Sequence, residues 1–89
     1  MKKRMVLIIY DISDNKIRTK FVKFIEHYGQ RVQKSAFEAF IDSSKYKKMI
    51  RIIPKIIKDN DNVRVYMLDG EIKYWGENEN KVQEEVIIL

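Results

Sequence analysis

The chain of 89 residues has no cysteine, one histidine, one proline and three glycines. Without cysteine there are no disulfides and no thiolate–metal sites. One histidine, His27, does not supply the ligands of a usual zinc site. Metal chemistry therefore falls to carboxylates, which favour magnesium, manganese or calcium. No apolar run reaches membrane-spanning length. Residues 1–10 begin like a signal peptide, basic and then apolar. The apolar run is too short, has no small-residue cleavage site and runs into Asp11, which predicts a cytoplasmic protein whose first strand starts at once. A Walker loop, GxGxxG, a Ser-His-Asp set and HExxH are all missing, so nucleotide hydrolysis and acyl transfer have no support.

What remains is a folded, basic chain. An apolar share of 45% fits one globular domain over residues 1–89, with a core small enough that self-association hiding further apolar surface would help. Eighteen Lys+Arg against thirteen Asp+Glu give a net charge of +5, which points to phosphate-bearing partners. Cations crowd residues 2–58 and acids dominate 69–85, so the basic part can face a polyanion.

Hydrophobic periodicity orders the elements. Met5–Tyr10 is a continuous β-branched run, which predicts a central strand buried on both faces. Ile17, Phe21, Phe24, Ile25 and Tyr28 recur at helical spacing, predicting a helix from Asn15 to Tyr28 closed by Gly29 at C′. Gln30–Ile41 reads as two short strands broken near Lys34-Ser35. A second helix follows, capped by Ser43 or Ser44. Its apolar stripe is Tyr46, Met49, Ile50, Ile53 and Ile57, its lysines and Arg51 spread over the other faces, and Pro54 is expected to kink it or end it early. Residues 59–62 form a turn and Val63–Leu68 a strand. Asp69-Gly70 is a tight-turn signal before a short return over Glu71–Trp75. Residues 69–89 make a C-terminal extension with a polar loop and a terminal apolar strand over 86–89. The order is that of an α+β, ferredoxin-like βαββαβ sandwich with one extra C-terminal strand.

Asp11 is the first candidate site residue. The carboxyl end of a buried strand beside a helix start is a common place for functional groups, and an aspartate there could hold a divalent ion that also touches phosphate. Equally, Asp11, Ser13 or Asp14 could simply cap the first helix. A two-fold dimer would pair Asp11 with its mate and supply a second carboxylate. Lys16, Arg18, Lys20 and Lys23 on the first helix, with Arg31 and Lys34 nearby in the fold, could neutralise phosphates; the alternative is a solvated basic helix face. Among the aromatics Tyr10, beside Asp11, is the one that could touch substrate. His27 is expected to complement the helix dipole.

Val6-Leu-Ile-Ile-Tyr-Asp11 followed by Ser13-Asp14 and Arg18, then Gly29-Gln-Arg-Val-Gln-Lys-Ser-Ala-Phe-Glu38, the strand Val63–Leu68 and the terminal Val86-Ile-Ile-Leu carry a resemblance. In order and spacing they resemble the small CRISPR-associated adaptation proteins, the Cas-two family, over nearly the whole chain. The resemblance implies a homodimer whose terminal strands pair across to the partner subunit. It implies a Mg2+- or Mn2+-dependent endonuclease acting on RNA or DNA, and the central, non-catalytic partner of the CRISPR integrase in spacer acquisition. The family's metal aspartate corresponds to Asp11, its preceding tyrosine to Tyr10 and its first-helix arginine to Arg18. The strand-two arginine, and the serine and phenylalanine after it, correspond to Arg31, Ser35 and Phe37. Ala36 stands where valine is commoner. A ribonuclease toxin of a toxin–antitoxin pair, with the same fold and strand-end aspartate, is the alternative.

Overall fold

A computed structural model describes residues 2–76. The elements are β1 (Lys3–Asp11), α1 (Asn15–Ile25), β2 (Gln30–Gln33), β3 (Ala36–Asp42), α2 (Ser43–Ile56) and β4 (Asn62–Leu68). The sheet runs β2-β3-β1-β4 with every neighbouring pair antiparallel, which is the ferredoxin-like arrangement. The expected return strand after Gly70 is reduced to one bridging residue, Ile72. The expected strand over 86–89 lies outside the described residues.

β1 is central, as its composition predicts, but its second face is buried only in part, with Met5 buried, Leu7 half-buried and Ile9 exposed. Val6, Ile8 and Tyr10 point into the core, whereas Ile9 remains 39% exposed. The reason is topological: two crossovers put both helices on one side of the sheet, and among the described residues no helix covers the other side. The core forms between sheet and helices, from Val6, Ile8, Phe37, Ala39 and Ile41 against Phe21, Ile25, Met49 and Ile53. Burying these large side chains is the main stabilising contribution.

Local details differ from the periodicity in three places. α1 stops at Ile25 rather than Tyr28, and residues 26–28 continue as turns. Gly29 does not adopt a left-handed C′ conformation; only Gly70 and Gly76 have positive φ. Its missing side chain matters for close approach instead, because a Cβ there would lie 2.1 Å from the Glu38 carbonyl oxygen and 2.8 Å from Ala39 Cα. α2 is capped by Asp42 rather than a serine, with Asp42 Oδ1 accepting the Lys45 amide at 2.9 Å. Pro54 lies inside α2, which ends two residues later at Ile56, in keeping with a proline that cannot donate a backbone hydrogen bond.

Candidate nucleic-acid interface

Three acidic or hydroxylated residues compete to cap α1, and the structure assigns the task to Asp14. Its Oδ1 accepts the amides of Lys16 (2.8 Å) and Ile17 (3.0 Å). The bond from Ile17 is the leading cause that holds the Asp14 carboxyl below the usual aspartate range. Asp11 is thereby left with an exposed carboxylate at the end of β1, opposite Asn62 of β4. Ile9, Tyr10, Asp11, Asn62 and Arg64 line a shallow depression at this end. Sequence reasoning missed Asn62 and Arg64. Only the β1–β4 register brings them beside Asp11, and neither the turn expected around Asn62 nor the strand that holds Arg64 carries a local signal of it. Arg64 donates to the Tyr66 hydroxyl at 3.4 Å, a contact that raises the guanidinium pKa further.

Arg18 is not held out towards solvent. Its guanidinium folds back on the β1–α1 loop, donating to the carbonyls of Ile12 (2.8 Å) and Ser13 (3.2 Å) and to the Asn15 side-chain oxygen. The same residue lines a second depression of about 350 Å³ with Tyr10, Lys23, Arg31, Lys34 and Ser35, and one acid, Glu26. Four of the expected phosphate-binding cations therefore meet in one place. Lys16 and Lys20 are exposed on α1 but do not line that depression.

Tyr10 and Phe37 are core residues, with relative exposures of 3% and 0%. The Tyr10 ring packs at 5.1 Å from Phe21 and 6.1 Å from Phe37, and its hydroxyl donates to the Lys34 carbonyl at 3.1 Å. Tyr10, although 3% exposed, lines the depression, and its hydroxyl is held on the Lys34 carbonyl. Phe37 instead supports Arg31, whose guanidinium lies 5.6 Å from the ring centroid. His27 Nδ1 lies 2.9 Å from the Lys23 carbonyl, an acceptor, so that nitrogen carries the proton. It closes the last turn of α1, in keeping with a role at the helix end.

Within one chain the acid and the cations belong to neighbouring depressions joined by Tyr10. Among the described residues no group of three or more His, Asp or Glu is close enough to hold a metal ion. The donor chemistry at Asp11, a free carboxylate facing a carboxamide, suits a hard cation but is incomplete as a cage. The open sheet face beside it is partly apolar, with Ile9, Tyr66 and the half-buried Leu7 in register. Glu38 shares that face opposite Leu7, and burial there raises its carboxyl pKa.

The structure is a small ferredoxin-like α+β domain with an exposed strand-end aspartate and a cluster of cations beside it. Residues 4–73 match the family described as CRISPR associated protein Cas2. The chain belongs to the Cas2 family. It is 37% identical over 89 residues to the CRISPR-associated endoribonuclease Cas2 of Mycobacterium tuberculosis, covering 98% of this chain and 79% of that protein. The solved structure of Streptococcus pyogenes Cas2 at pH 6.5 superposes with a TM-score of 0.67 at 31% identity, covering 73% of this chain and 86% of that one. A chain of a partial Cas6-RT-Cas1–Cas2 complex superposes with a TM-score of 0.59 at 32% identity, covering 75% of each. No helix among the described residues is long and apolar enough to cross a membrane.

Proposed function

We propose that the protein is a homodimeric CRISPR adaptation protein that binds the nucleic-acid backbone and bridges the CRISPR integrase during spacer acquisition. The observation that carries this reading is the meeting of Arg18, Lys23, Arg31 and Lys34 around one depression, next to an aspartate not consumed as a helix cap. Arginine and lysine there bind phosphates from different distances, the first through its planar fork and the second as a point charge. The naming of a Cas1–Cas2 complex for one superposing chain supports an integrase partner.

The partly apolar open face of the sheet supports a dimer, because packing it on a second copy covers Ile9 and Tyr66. A two-fold axis passing close to Asp11 brings two carboxylates together. Those two aspartates would hold Mg2+ or Mn2+, which when bound polarises a phosphodiester and lowers the pKa of water. Arg31 and Lys34 then position the flanking phosphates, Ser35 lies beside them, and Arg18 fixes the loop that follows Asp11. Endonuclease action on RNA or DNA is the catalytic side of this reading, in line with the endoribonuclease name of the relative from M. tuberculosis.

Cleavage of labelled RNA and DNA by rigorously purified Asp11→Asn protein tests it. The variant is expected to remain dimeric and to lose metal-dependent cleavage by on the order of a hundredfold or more. Undiminished cleavage rejects the catalytic role of Asp11. Failure of the wild-type chain to bind any nucleic acid, or to co-purify with the integrase, rejects the adaptor role.

A further inference from the structure

Residues 43–58, α2 and the two residues that follow it, contain six cations, Lys45, Lys47, Lys48, Arg51, Lys55 and Lys58, and no acid. At 100° per residue these cations are not scattered. Met49 and Ile53, buried against the sheet, fix the inner face of α2. On the opposite side Lys47, Arg51 and Lys55 follow one another at i, i+4 spacing, flanked by Lys48, while Lys58 lies beyond the helix end at Ile56, and all five are exposed. Among the described residues none of them forms an ion pair, because the two ion pairs there are Arg4–Asp69 and Lys73–Glu71. Like charges at i, i+4 destabilise a helix. A sequence that repeats this pairing without an intervening acid keeps a local cost that a polyanion would relieve.

We infer that the outer face of α2 is a second backbone-binding surface, separate from the depression around Arg31, and that its ligand is a nucleic-acid duplex. The inference rests on the nucleic-acid reading given above and adds a second place of contact to it. Three observations favour a duplex. The helical row from Lys47 to Lys55 is about 12 Å long at 1.5 Å per residue, which spans roughly three to four base-pair steps of a duplex. Its helix is anchored, because Met49 and Ile53 on the opposite face of α2 are packed in the core. Ile50, 38% exposed, is the one exposed large apolar side chain of α2, too little for a face that inserts into a lipid surface, and the row has no apolar centre of the kind that a protein interface needs.

Topology also gives the row a direction. α2 begins beside Asp42, the residue paired with Lys3 at the far end of β1. It ends before the Lys58–Asp61 turn, where Lys58 N–H donates to Asp61 Oδ2 at 2.8 Å, and β4 then starts at Asn62, opposite Asp11. The cationic row therefore leads from one end of the molecule to the end that carries Asp11. No residue of α2 lines the Arg31 depression, so the two surfaces are distinct.

The test compares three full-length proteins on two unrelated DNA duplexes over a salt series. They are the wild type, the triple variant Lys47→Gln/Arg51→Gln/Lys55→Gln, and a charge-matched control, Lys2→Gln/Lys3→Gln/Lys73→Gln, altered at other exposed positions. The α2 variant is expected to bind both duplexes at least about tenfold more weakly near 0.1 M salt, with a salt slope shallower by roughly 2 to 3. The control should change much less, and the thermal midpoint of the α2 variant should equal or exceed that of the wild type because repulsion is removed. An α2 variant with unchanged affinity and slope, or a control that weakens binding equally, overturns the inference. A wild type that binds no duplex at all refutes the nucleic-acid reading itself, a result distinguishable from failure of the α2 surface alone.

Discussion

The guanidinium of Arg18 donates to the Ile12 carbonyl at 2.8 Å, tying the first turn of α1 back to the loop that follows Asp11. Ile12 is itself buried, so the bond joins a core position to the exposed strand end. Arg18 acts on Asp11 through the backbone, in addition to presenting charge to the neighbouring depression.

This relationship separates geometry from charge. Arg18→Lys keeps the charge but cannot reach three acceptors with one ammonium. It is expected to cost about 1–2 kcal/mol of stability and to leave the salt dependence of nucleic-acid binding nearly unchanged. Denaturant melts paired with a salt titration check both halves. A lysine variant as stable as the wild type shows that the loop does not depend on the fork.

Asp14 gives a pH dependence of defined sign. Its folded pKa is depressed, so its cap stabilises the chain above the unfolded carboxylate value and is lost as pH falls through the folded value. Asp14→Ala should lower the thermal midpoint by several degrees at pH 7 and show a smaller difference from wild type at pH 3. Melting curves across pH 3–7 read this directly; a difference that does not shrink in acid contradicts it.

Glu38 behaves in the opposite sense. Burial raises its pKa, so its ionised form is disfavoured by folding, and stability from this position grows as pH falls through the folded value. Glu38→Gln is expected to raise the midpoint at pH 7 and to have little effect near pH 4. It should also strengthen self-association if the open sheet face pairs with a second copy, which sedimentation at pH 7 measures. A variant less stable than the wild type at pH 7 contradicts the burial argument.

Gly29→Ala tests a close approach rather than a backbone angle. The added methyl would overlap the Glu38 carbonyl and Ala39 Cα, both backbone atoms of β3 that cannot swing aside. A loss of about 1–3 kcal/mol, or more, is expected in denaturant unfolding. A neutral effect would mean that the turn over residues 26–28 shifts to make room.

Much of this was written in the chain itself. Strand alternation and the 3.6-residue stripe depend on neighbours a few positions away, so β1, both helices and the Lys34-Ser35 break follow from the sequence. So does the position of Asp11 at a strand end and its membership of a recognisable motif. Which residue caps α1 was open, since Asp11, Ser13 and Asp14 are chemically equivalent candidates. The choice of Asp14 needed the loop geometry that places its oxygen beside two amides. The strand order decided that one face of β1 stays partly exposed, that Arg64 and Asn62 flank Asp11, and that Gly29 passes close to β3. Tyr10 and Phe37, functional by motif, turned out to be packed in the core, with Arg31 resting over one of their rings. Short-range periodicity fixes elements because a helix or strand repeats within its own length; partners across a sheet are set by long-range register, which no local pattern encodes.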